Sequence, residues 1–593
     1  MTHYQINERD MMFNLKECPG LQALADTDGY EDTSEETLDL IFEQAKKFAT
    51  EVLAEHFVVG DRQGCELVDG EVKLPEGFDN VWEQYAETGM VGINADAEFG
   101  GANLPHFFSS PVAEMECGSN VSFSMLPLLT RGAARLIYTF GTQELKEKYL
   151  ENMYSGEWSG TMCLTEPGAG SDVGAGLTKA VPEGDHFKIS GTKIFITWGD
   201  HELTKNIVHL VLARTPDAPP GSKGLSLFVV PKYLTDDEGN VIRSNDVTCG
   251  NIEHKMGIKA SPTCVINFGT DDDCIGWLIG EPNKGMSQMF QMMNDARLEV
   301  GIQGMAQASA AYLSALGYAK ERAQGSIRTA EGARPAKIIE HPDVRRMLLR
   351  MRAIVEASRA MIYHMSLYMD LAHHGKGDRE RYRALSELLT PVVKSYGSDQ
   401  GFRVTEMAIQ TYGGYGFCQE YPVEQYMRDI KIASIYEGTN GIQALDLVFR
   451  KILMNKGAHL KVWLGDVAAL CGELKGTRLE AQADALGKAA QTAAAVATKF
   501  GEWAATGKAE AVQYRATDFQ EHLGHVMGGY FLLRQAQYAA KCLEGQPSPA
   551  DQHFYEQKIV TTDYFIGDQV VQSVSALQHL MQVPFPGTDV SFD

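Results

Sequence analysis

The chain has 593 residues, 44% of them hydrophobic and 22% charged, which is typical of a soluble globular protein and long enough for three or four domains. Its 53 Lys and Arg residues against 78 Asp and Glu residues leave a formal net charge of -25, which disfavours binding to nucleic acid or to anionic lipid. Ten cysteines without CxxC or zinc-site spacing, no apolar run of bilayer length and no signal-peptide pattern at the N-terminus predict a cytoplasmic protein with no transmembrane segment and no metal site.

The first two predicted domains differ in the period of their hydrophobic residues. Residues 1–160 predict an N-terminal helical domain, because segments such as "EETLDLIFEQAKKFATEVLAEHF" carry apolar residues at helical spacing. The segment "CELVDGEVKLP" interrupts them as a short hairpin with Asp69-Gly70 as its turn. Residues 161–284 contain short β-rich runs between Gly, Pro and Asp clusters and predict a middle β-barrel or sandwich with antiparallel strands. No helices alternate with these strands, so a Rossmann fold is not expected.

Helical periodicity returns for the remainder of the chain. Residues 285–455 predict a C-terminal four-helix bundle whose fourth helix follows Glu437, and residues 456–593 predict an additional helical domain. Within the bundle, "QGSIRTAEGARPAKII" is predicted to be a polar surface loop. Its basic residues either lie near an anionic partner or are simply solvated, and they are Arg328, Arg334 and Lys337. The predicted fold class is therefore mainly α with a central β domain.

The segment "IASIYEGTNGIQALDL" contains a single acid, Glu437, beside an apolar run at helical spacing. Glu437 is either an ordinary first-turn acid facing the helix dipole or a base kept in apolar surroundings. The loop "MCLTEPGAGSDVGAG" exposes consecutive backbone N–H groups, which suit an electron-rich ligand or simply form a glycine-rich turn. In "KIFITWG", Phe195 and Thr197 fall on one face of a strand, either to stack on a flat ring or to pack in the core.

Three further segments are ambiguous when each is taken alone. "NDARLEVG" places Arg297 on an apolar helix, where it either pairs with an acid or orients an acidic partner. "ERAQG" and "QTYGGYGF" are helix ends rich in glycine, for which plain helix termination is an alternative to ligand binding.

Taken together and in this order, these segments resemble the FAD-dependent acyl-CoA dehydrogenases over roughly residues 35–450. The hairpin, the variant "YEGTNGIQALDL" and the long C-terminal block look like a bacterial subgroup that includes 3-methylmercaptopropionyl-CoA dehydrogenases and large fatty acyl-CoA dehydrogenases. The resemblance implies an N-terminal helical domain, a middle β domain and a C-terminal bundle. It also implies FAD as cofactor, an acyl-CoA substrate, a homo-oligomer (dimer or tetramer) and electron-transfer flavoprotein as electron acceptor in fatty acid β-oxidation.

Site residues follow from the resemblance position by position. Glu437 matches the catalytic base that removes the α-proton while flavin N5 takes the β-hydride. The positions matching cofactor contacts are Met162, Leu164, Thr165, Ser171, Phe195, Thr197, Arg322, Gln324, Gln410, Gly413, Gly414 and Thr439. The positions matching substrate contacts are Ser171, Asn294, Arg297, Tyr436 and Gly438. Among them, Arg322 and Gln324 match a pair that reaches the FAD of a neighbouring subunit.

The sequence also departs from the family pattern. Gly441 stands where the family often has a glutamine that contacts flavin, and Asn294 replaces a common aspartate. Two branches of the family place their base on the earlier helix, but the matching residue here is Ala296, so Glu437 remains the candidate. The rival hypotheses are an acyl-CoA oxidase, a non-catalytic member that only binds ligand, and a helical scaffold without cofactor.

Overall fold

The computed structural model describes residues 4–25, 27–30, 33–236, 238–330, 332–582, 587 and 591. The chain divides into two compact units, the first formed by Met1–Tyr4 and Leu38–Glu299 and the second by Gln5–Thr37 and Val300–Asp593. The boundaries between the four predicted domains stay a prediction.

The helices and strands have these bounds in chain order. The helices are α1 (Glu8–Met12), α2 (Glu35–Glu51), α3 (His56–Gln63), α4 (Phe78–Glu87), α5 (His106–Phe140), α6 (Gln143–Tyr154), α7 (Gly285–Glu321), α8 (Pro342–His374), α9 (Arg379–Tyr412), α10 (Val423–Ile430), α11 (Asn440–Leu445), α12 (Ala458–Glu473), α13 (Glu480–Ala505), α14 (Ala509–Glu544), α15 (Pro549–Phe565) and α16 (Val571–Gln582). The strands are β1 (Glu66–Val68), β2 (Glu71–Lys73), β3 (Trp158–Cys163), β4 (Lys179–Glu183), β5 (His186–Thr197), β6 (Asn206–Ala213), β7 (Ser226–Pro231), β8 (Tyr233–Thr235), β9 (Val241–Ser244), β10 (Val247–Ile252), β11 (Thr263–Phe268), β12 (Ile275–Ile279), β13 (Ala323–Thr329) and β14 (Gly332–Lys337).

Helices α2 to α6 precede the sheet of the first unit, as the periodicity predicts. The longest, α5, is broken at Asn120, whose backbone is extended at φ −160° and ψ 86°. The Asn120 side chain accepts a hydrogen bond from the Phe123 amide at 3.3 Å, so it caps the helical segment that follows the break. The predicted hairpin is confirmed as β1–β2, with positive φ at both turn residues, Asp69 and Gly70.

The predicted β domain is confirmed as an eight-stranded sheet with the order β10-β11-β5-β12-β7-β6-β3 and with β4 paired to β5. Every pairing in the sheet is antiparallel except β3–β6, a parallel pair that the sequence analysis did not anticipate. The residues of β6 alternate between two cores, because successive side chains of a strand point to opposite faces. Leu210 and Leu212 pack with α5 and α6, whereas Val211 and Ala213 pack with the core on the other face.

The bundle of the second unit depends on small residues where α7 and α9 cross. A Cβ atom added at Gly304 would lie 2.3 Å from the carbonyl oxygen of Gly397, and one at Gly401 would lie 2.6 Å from that of Gly304. Only glycine permits the two backbones to approach so closely. Helix α9 also packs against α8 and against α11, which begins after Glu437, so the predicted fourth helix is confirmed.

The C-terminal helices pack onto this bundle. Helices α14 and α15 contact α8, and α12 contacts α9. A buried ionic cluster joins α1, α8 and α15: the Arg359 guanidinium donates to Asp10 at 2.5 Å, and the Lys558 ammonium binds both Asp10 and Glu356. The segment 456–593 is therefore part of the second unit rather than an appendage.

The prediction of a polar loop between α7 and α8 is wrong, because this segment forms the antiparallel hairpin β13–β14. Ile327 pairs with Arg334 and Arg328 pairs with Ala333. The hairpin exposes nearly all its side chains, so its strands lack the apolar alternation by which a strand is recognised. Of its three basic residues, Arg334 forms an ion pair with Glu340 at 2.5 Å.

Over the residues that the structure describes, no helix is long and apolar enough to cross a bilayer. Over the same residues, no three His, Cys, Asp or Glu side chains are grouped so that they could hold a metal ion.

Candidate active site

The residues matching site positions fall in both units. In the second unit, Glu437 lies in a sharp turn between a 3-10 segment, Lys431–Ser434, and helix α11. Glu437 has φ +55° and Gly438 has φ +81°, so both residues are left-handed. Helix α11 begins only after them, at the N-cap Thr439, whose side chain accepts from the Ile442 amide at 3.2 Å. The first-turn interpretation of Glu437 is therefore wrong, because the helix is capped by Thr439, two residues further along the chain.

A left-handed backbone costs a non-glycine residue about 1–2 kcal/mol, so other contacts must stabilise the turn at Glu437. The fully buried Gln443 amide donates to the carbonyl oxygens of Glu437 at 3.1 Å and of Gly438 at 3.3 Å. The fully buried Lys394 ammonium donates to the Gly438 carbonyl at 2.9 Å and to Asn440 Oδ1 at 2.8 Å. These contacts fix both carbonyl groups of the turn.

Tyr436 fixes the residue before the base. Its hydroxyl donates to the side-chain carbonyl of Gln303, a buried residue of α7 that lies beside Gly304 in the crossing of α7 and α9. Glu437 itself is half-buried, and so is Gly438. The base candidate is therefore clamped on both sides while part of its surface stays accessible.

In the first unit, the loop after β3 is fastened by a buried carboxylate. Glu166 accepts from the Leu177 amide at 2.6 Å, from the Thr178 hydroxyl at 2.6 Å and from the Lys193 ammonium at 2.8 Å. Burial acts to raise the pKa of Glu166, but Lys193 and the other donors outweigh it and hold that pKa below its usual value. Lys193 also donates to the Leu164 carbonyl at 2.9 Å, so both ends of the loop are attached to β5.

The predicted cofactor residues of this loop and of the strand before it differ in their exposure. Met162 is buried at the end of β3, Leu164 and Thr165 are half-buried, and Ser171 is exposed. A Cβ atom added at Gly168 or at Gly170 would have no neighbour within 4 Å, so open space lies beside this part of the loop.

The end of β5 carries an irregularity that the sequence analysis did not predict. The register between β5 and β11 shifts beside Phe195, which has φ +58°. As a result, 58% of the Phe195 surface is exposed although the next residue, Ile196, is 2% exposed. Thr197 follows half-buried, and Trp198 is fully buried with its indole donating to the Ser122 carbonyl at 3.0 Å. Phe195 is thus not a core residue of this unit, which removes the core-packing alternative.

Arg297 and Asn294, the predicted CoA contacts, lie together on α7. Arg297 is 3% exposed, and its guanidinium donates to Asn294 Oδ1 at 3.4 Å. The two residues therefore form one polar group on the helix, and the structure places them as neighbours without assigning them a ligand.

The second unit also groups the residues predicted to contact a neighbouring subunit's cofactor. Arg322 and Gln324 are exposed at the end of α7, and Gln410, Gly413 and Gly414 are exposed at the end of α9. Helix α9 ends at Gly413, whose φ of +64° terminates the helix. The two helix ends adjoin, since the Arg322 guanidinium lies 5.5 Å from the centre of the Tyr415 ring.

Sequence reasoning missed the residues that support these groups. Lys394 sits inside an apolar helical pattern, and Lys193 inside a strand pattern, where a lysine usually turns its charge to solvent. A lysine surrounded by apolar residues in "TPVVKSYG" was the available signal for the first.

Comparison with known proteins shows that four consecutive parts of the chain match models of acyl-CoA dehydrogenase domains or a related C-terminal domain. Sequence models of the acyl-CoA dehydrogenase N-terminal, middle and C-terminal domains match residues 35–157, 161–270 and 283–452, and an acetyl-CoA dehydrogenase C-terminal-like model matches residues 463–584.

Two relatives and one solved structure extend the match over nearly the full length. The 3-methylmercaptopropionyl-CoA dehydrogenase of Ruegeria pomeroyi is 39% identical over 97% of both chains. A butyryl-CoA dehydrogenase of Syntrophomonas wolfei is 39% identical over 95% of both chains. A Bacillus anthracis acyl-CoA dehydrogenase solved with FAD has the same fold, with a TM-score of 0.73 and 21% identity over 95% of this chain and 91% of that chain.

Proposed function

Because the chain belongs to the acyl-CoA dehydrogenase family, we propose that it oxidises an acyl-CoA thioester to the trans-2-enoyl-CoA, with FAD as cofactor and Glu437 as base. The observation that carries the proposal is the turn at Glu437. A carboxylate-bearing residue is kept in a strained, left-handed conformation by two fully buried side chains, Lys394 and Gln443. Strain of this kind persists where the surroundings over-determine a position, and it is common at active sites.

The chemical role of Glu437 follows from the weak acidity of an α-proton. Removing that proton develops negative charge on the thioester carbonyl, so a base must be accompanied by hydrogen-bond donors for that oxygen. We assign the proton transfer to the Glu437 carboxylate and one of the donors to its backbone N–H. Tyr436 and Gly438, on either side, would line the acyl group, and Arg297 with Asn294 would bind the CoA moiety.

The first unit fits a flavin. Phe195 offers an exposed aromatic face, Thr197 a hydroxyl two residues away, and the loop at Ser171 has open space beside its glycines. An exposed ring on a strand that otherwise faces a core is well suited to stack on a flat heterocycle. FAD, when bound, supplies the acceptor for the hydride that leaves the β-carbon. Met162, Leu164 and Thr165 would line the rest of that surface.

Partner assignments rest on exposure and on family likeness. Arg322, Gln324 and the glycines after α9 are exposed on the second unit, as residues that bind the cofactor of another copy must be. Accordingly, we infer a homo-oligomer, a dimer or tetramer, in which Arg322 contacts the diphosphate of a neighbouring cofactor. Thr439, the N-cap residue of α11, would lie near the FAD diphosphate. Electron-transfer flavoprotein is the proposed electron acceptor and the cytoplasm the proposed compartment.

The proposed substrate has a short acyl chain. Both relatives of 39% identity are named for short acyl groups, butyryl and 3-methylmercaptopropionyl. Anaerobic loss of the flavin's visible absorbance with propionyl-, butyryl-, 3-methylmercaptopropionyl- and long-chain acyl-CoA tests this point. If 3-methylmercaptopropionyl-CoA reacts faster than butyryl-CoA at limiting concentration, the second candidate, a dedicated 3-methylmercaptopropionyl-CoA dehydrogenase, is supported.

The role of Glu437 is tested by Glu437→Gln, with Glu420→Gln as the matched control because Glu420 is exposed on the same unit. We expect both variants to fold and retain FAD, and only the control to be bleached by acyl-CoA. Bleaching of Glu437→Gln at the parent rate would refute the assignment of the base.

A further inference from the structure

Lys394 is a buried cation whose position the proposed chemistry does not explain. Its side chain is 0% exposed, and the neighbouring residues of α9, Val392 and Val393, are buried as well. Transferring an ammonium group from water to such surroundings is strongly unfavourable unless its donors are satisfied. The chain therefore accepts a considerable desolvation cost to hold a positive charge at this point.

Two hydrogen bonds show what the ammonium holds. It donates to the carbonyl oxygen of Gly438 at 2.9 Å and to Oδ1 of Asn440 at 2.8 Å, and so bridges the two ends of the turn that follows Glu437. Asn440 in turn donates to the hydroxyl of Ser398 at 3.0 Å. Lys394 and Ser398 are four residues apart and lie on the same face of α9, so one helix face holds both Gly438 and Asn440, while Gln443 of α11 holds the Glu437 carbonyl.

A second buried lysine of the same unit provides a contrast. Lys558 is 1% exposed, and its ion-pair partners are the carboxylates of Asp10 and Glu356, which belong to the ionic cluster of α1, α8 and α15. Lys558 thus serves the fold, whereas the contacts of Lys394 include a backbone carbonyl one residue from the proposed base.

We propose that Lys394 is a positioning residue for Glu437. Its ammonium fixes the Gly438 carbonyl and the side-chain oxygen of Asn440, and thereby keeps Glu437 in the left-handed conformation that directs its carboxylate to the substrate. The inference rests on the proposed function of Glu437 as base. Displacing a reacting group by about 1 Å can slow a reaction by about 10²-fold, so loss of this support should lower the rate of proton abstraction rather than substrate affinity.

The test compares Lys394→Met with Lys558→Met, two removals of a buried ammonium by a side chain of similar length. Full-length holoprotein is mixed anaerobically with butyryl-CoA over a range of concentrations, which separates the limiting rate of flavin bleaching from the half-saturating concentration. Hydrogen exchange of the peptide that covers residues 432–445 is followed in the same samples as a readout independent of turnover.

For Lys394→Met we expect the limiting rate to fall about 10²-fold, the half-saturating concentration to stay within about 2-fold, and exchange of that peptide to rise. Lys558→Met should lower stability but leave the limiting rate and the exchange of this peptide unchanged in the folded fraction. A limiting rate within about 2-fold of the parent for Lys394→Met, or an equal loss in Lys558→Met, would overturn the proposal.

The experiment also covers a variant that does not fold and a parent protein that does not react. If Lys394→Met does not accumulate as holoprotein, Lys394→Gln, which keeps a shorter donor and loses the charge, is judged by the same thresholds. If the parent protein is not bleached by any acyl-CoA, the proposed function itself fails. The exchange measurement then still reports whether Lys394 orders the turn.

Discussion

Gly304→Ala should separate two helices that the structure holds in backbone contact. The added Cβ would lie 2.3 Å from the carbonyl oxygen of Gly397 and 2.7 Å from the amide nitrogen of Ser398. Cβ atoms essentially never approach other heavy atoms to less than 3.0 Å, so α7 and α9 must move apart, because backbone atoms cannot rotate away as a side chain can.

The expected change in the free energy of unfolding is the balance of two opposing effects. Overpacking against rigid backbone costs about 3 kcal/mol, the upper part of the range seen when a methyl group is forced into a packed core. Alanine in place of glycine inside a helix stabilises by about 1 kcal/mol. We therefore expect Gly304→Ala to lower the free energy of unfolding of the second unit by about 2 kcal/mol.

Gly317→Ala is the matched control on the same helix. There the nearest atom to an added Cβ is Nε2 of Gln5 at 3.9 Å, so only the propensity gain of about 1 kcal/mol remains. The assay is urea unfolding followed by circular dichroism, comparing midpoints because a chain of this size does not unfold in two states.

Gly304→Ala should also slow flavin bleaching, since Gln303, which accepts from the Tyr436 hydroxyl, lies next to the substituted residue. Equal midpoints for Gly304→Ala and Gly317→Ala would refute the backbone contact between α7 and α9.

Three further outcomes are expected. Gly438→Ala places a Cβ atom 2.8 Å from Nε2 of Gln443 on a residue whose φ is +81°. It should lower the rate of flavin bleaching at least 10-fold, which is about 1.4 kcal/mol in the activation barrier, while FAD stays bound. An unchanged rate would contradict the geometry of the turn. Lys193→Met leaves the buried carboxylate of Glu166 without its cation and should destabilise by about 3–5 kcal/mol. Lys188→Met, at a half-buried position of the same strand whose ion pair with Asp272 spans 3.5 Å, should cost less than about 0.5 kcal/mol. Similar urea midpoints for the two variants would refute the importance of the Lys193–Glu166 pair. The third outcome concerns histidines whose pKa burial lowers to about 3, namely His201, His209, His364 and His525. Below the ordinary histidine pKa of 6.5, these side chains bind protons in the unfolded chain but not in the folded one, so the free energy of unfolding falls as pH drops. The loss is about 1.4 kcal/mol per histidine at about pH 5.5. A urea midpoint that stays the same between neutral pH and about pH 5.5 would contradict the burial of these histidines.

The elements that the sequence predicts well are those with a long or clear period. The helices of the bundle and the strands of the middle domain have apolar positions that repeat over many residues, and β6 shows the alternation directly in the two cores that it separates. The helix after Glu437 is also predictable, because Thr439 is a favourable N-cap residue. The resemblance to a family added what hydrophobic periodicity cannot supply, namely which acid is the candidate base and which loop is the candidate cofactor contact.

The parts that escaped prediction depend on backbone atoms or on distant partners. The bulge that exposes Phe195 arises from the register of β5 against β11, which no local pattern reports. Lys394 meets its carbonyl partner 44 residues further along the chain, and Lys193 meets Glu166 27 residues earlier. A side chain that binds a carbonyl oxygen leaves no complementary residue type in the sequence, so only the fold reveals such a pairing.

The ionic cluster of Asp10, Arg359 and Lys558 has a consequence for synthesis on the ribosome. Asp10 emerges before the other members of the cluster, because the ammonium that neutralises it is 548 positions later. At about 5–20 residues per second, its carboxylate waits from about half a minute to nearly two minutes for that partner. The first unit, by contrast, is complete in the nascent chain once Glu299 has emerged. Removing the segment that carries Asp10, or the segment that carries Lys558, should therefore leave the second unit with buried charges that lack their counterions. The inserted segment between residues 38 and 299 contains neither residue, so it should fold without them.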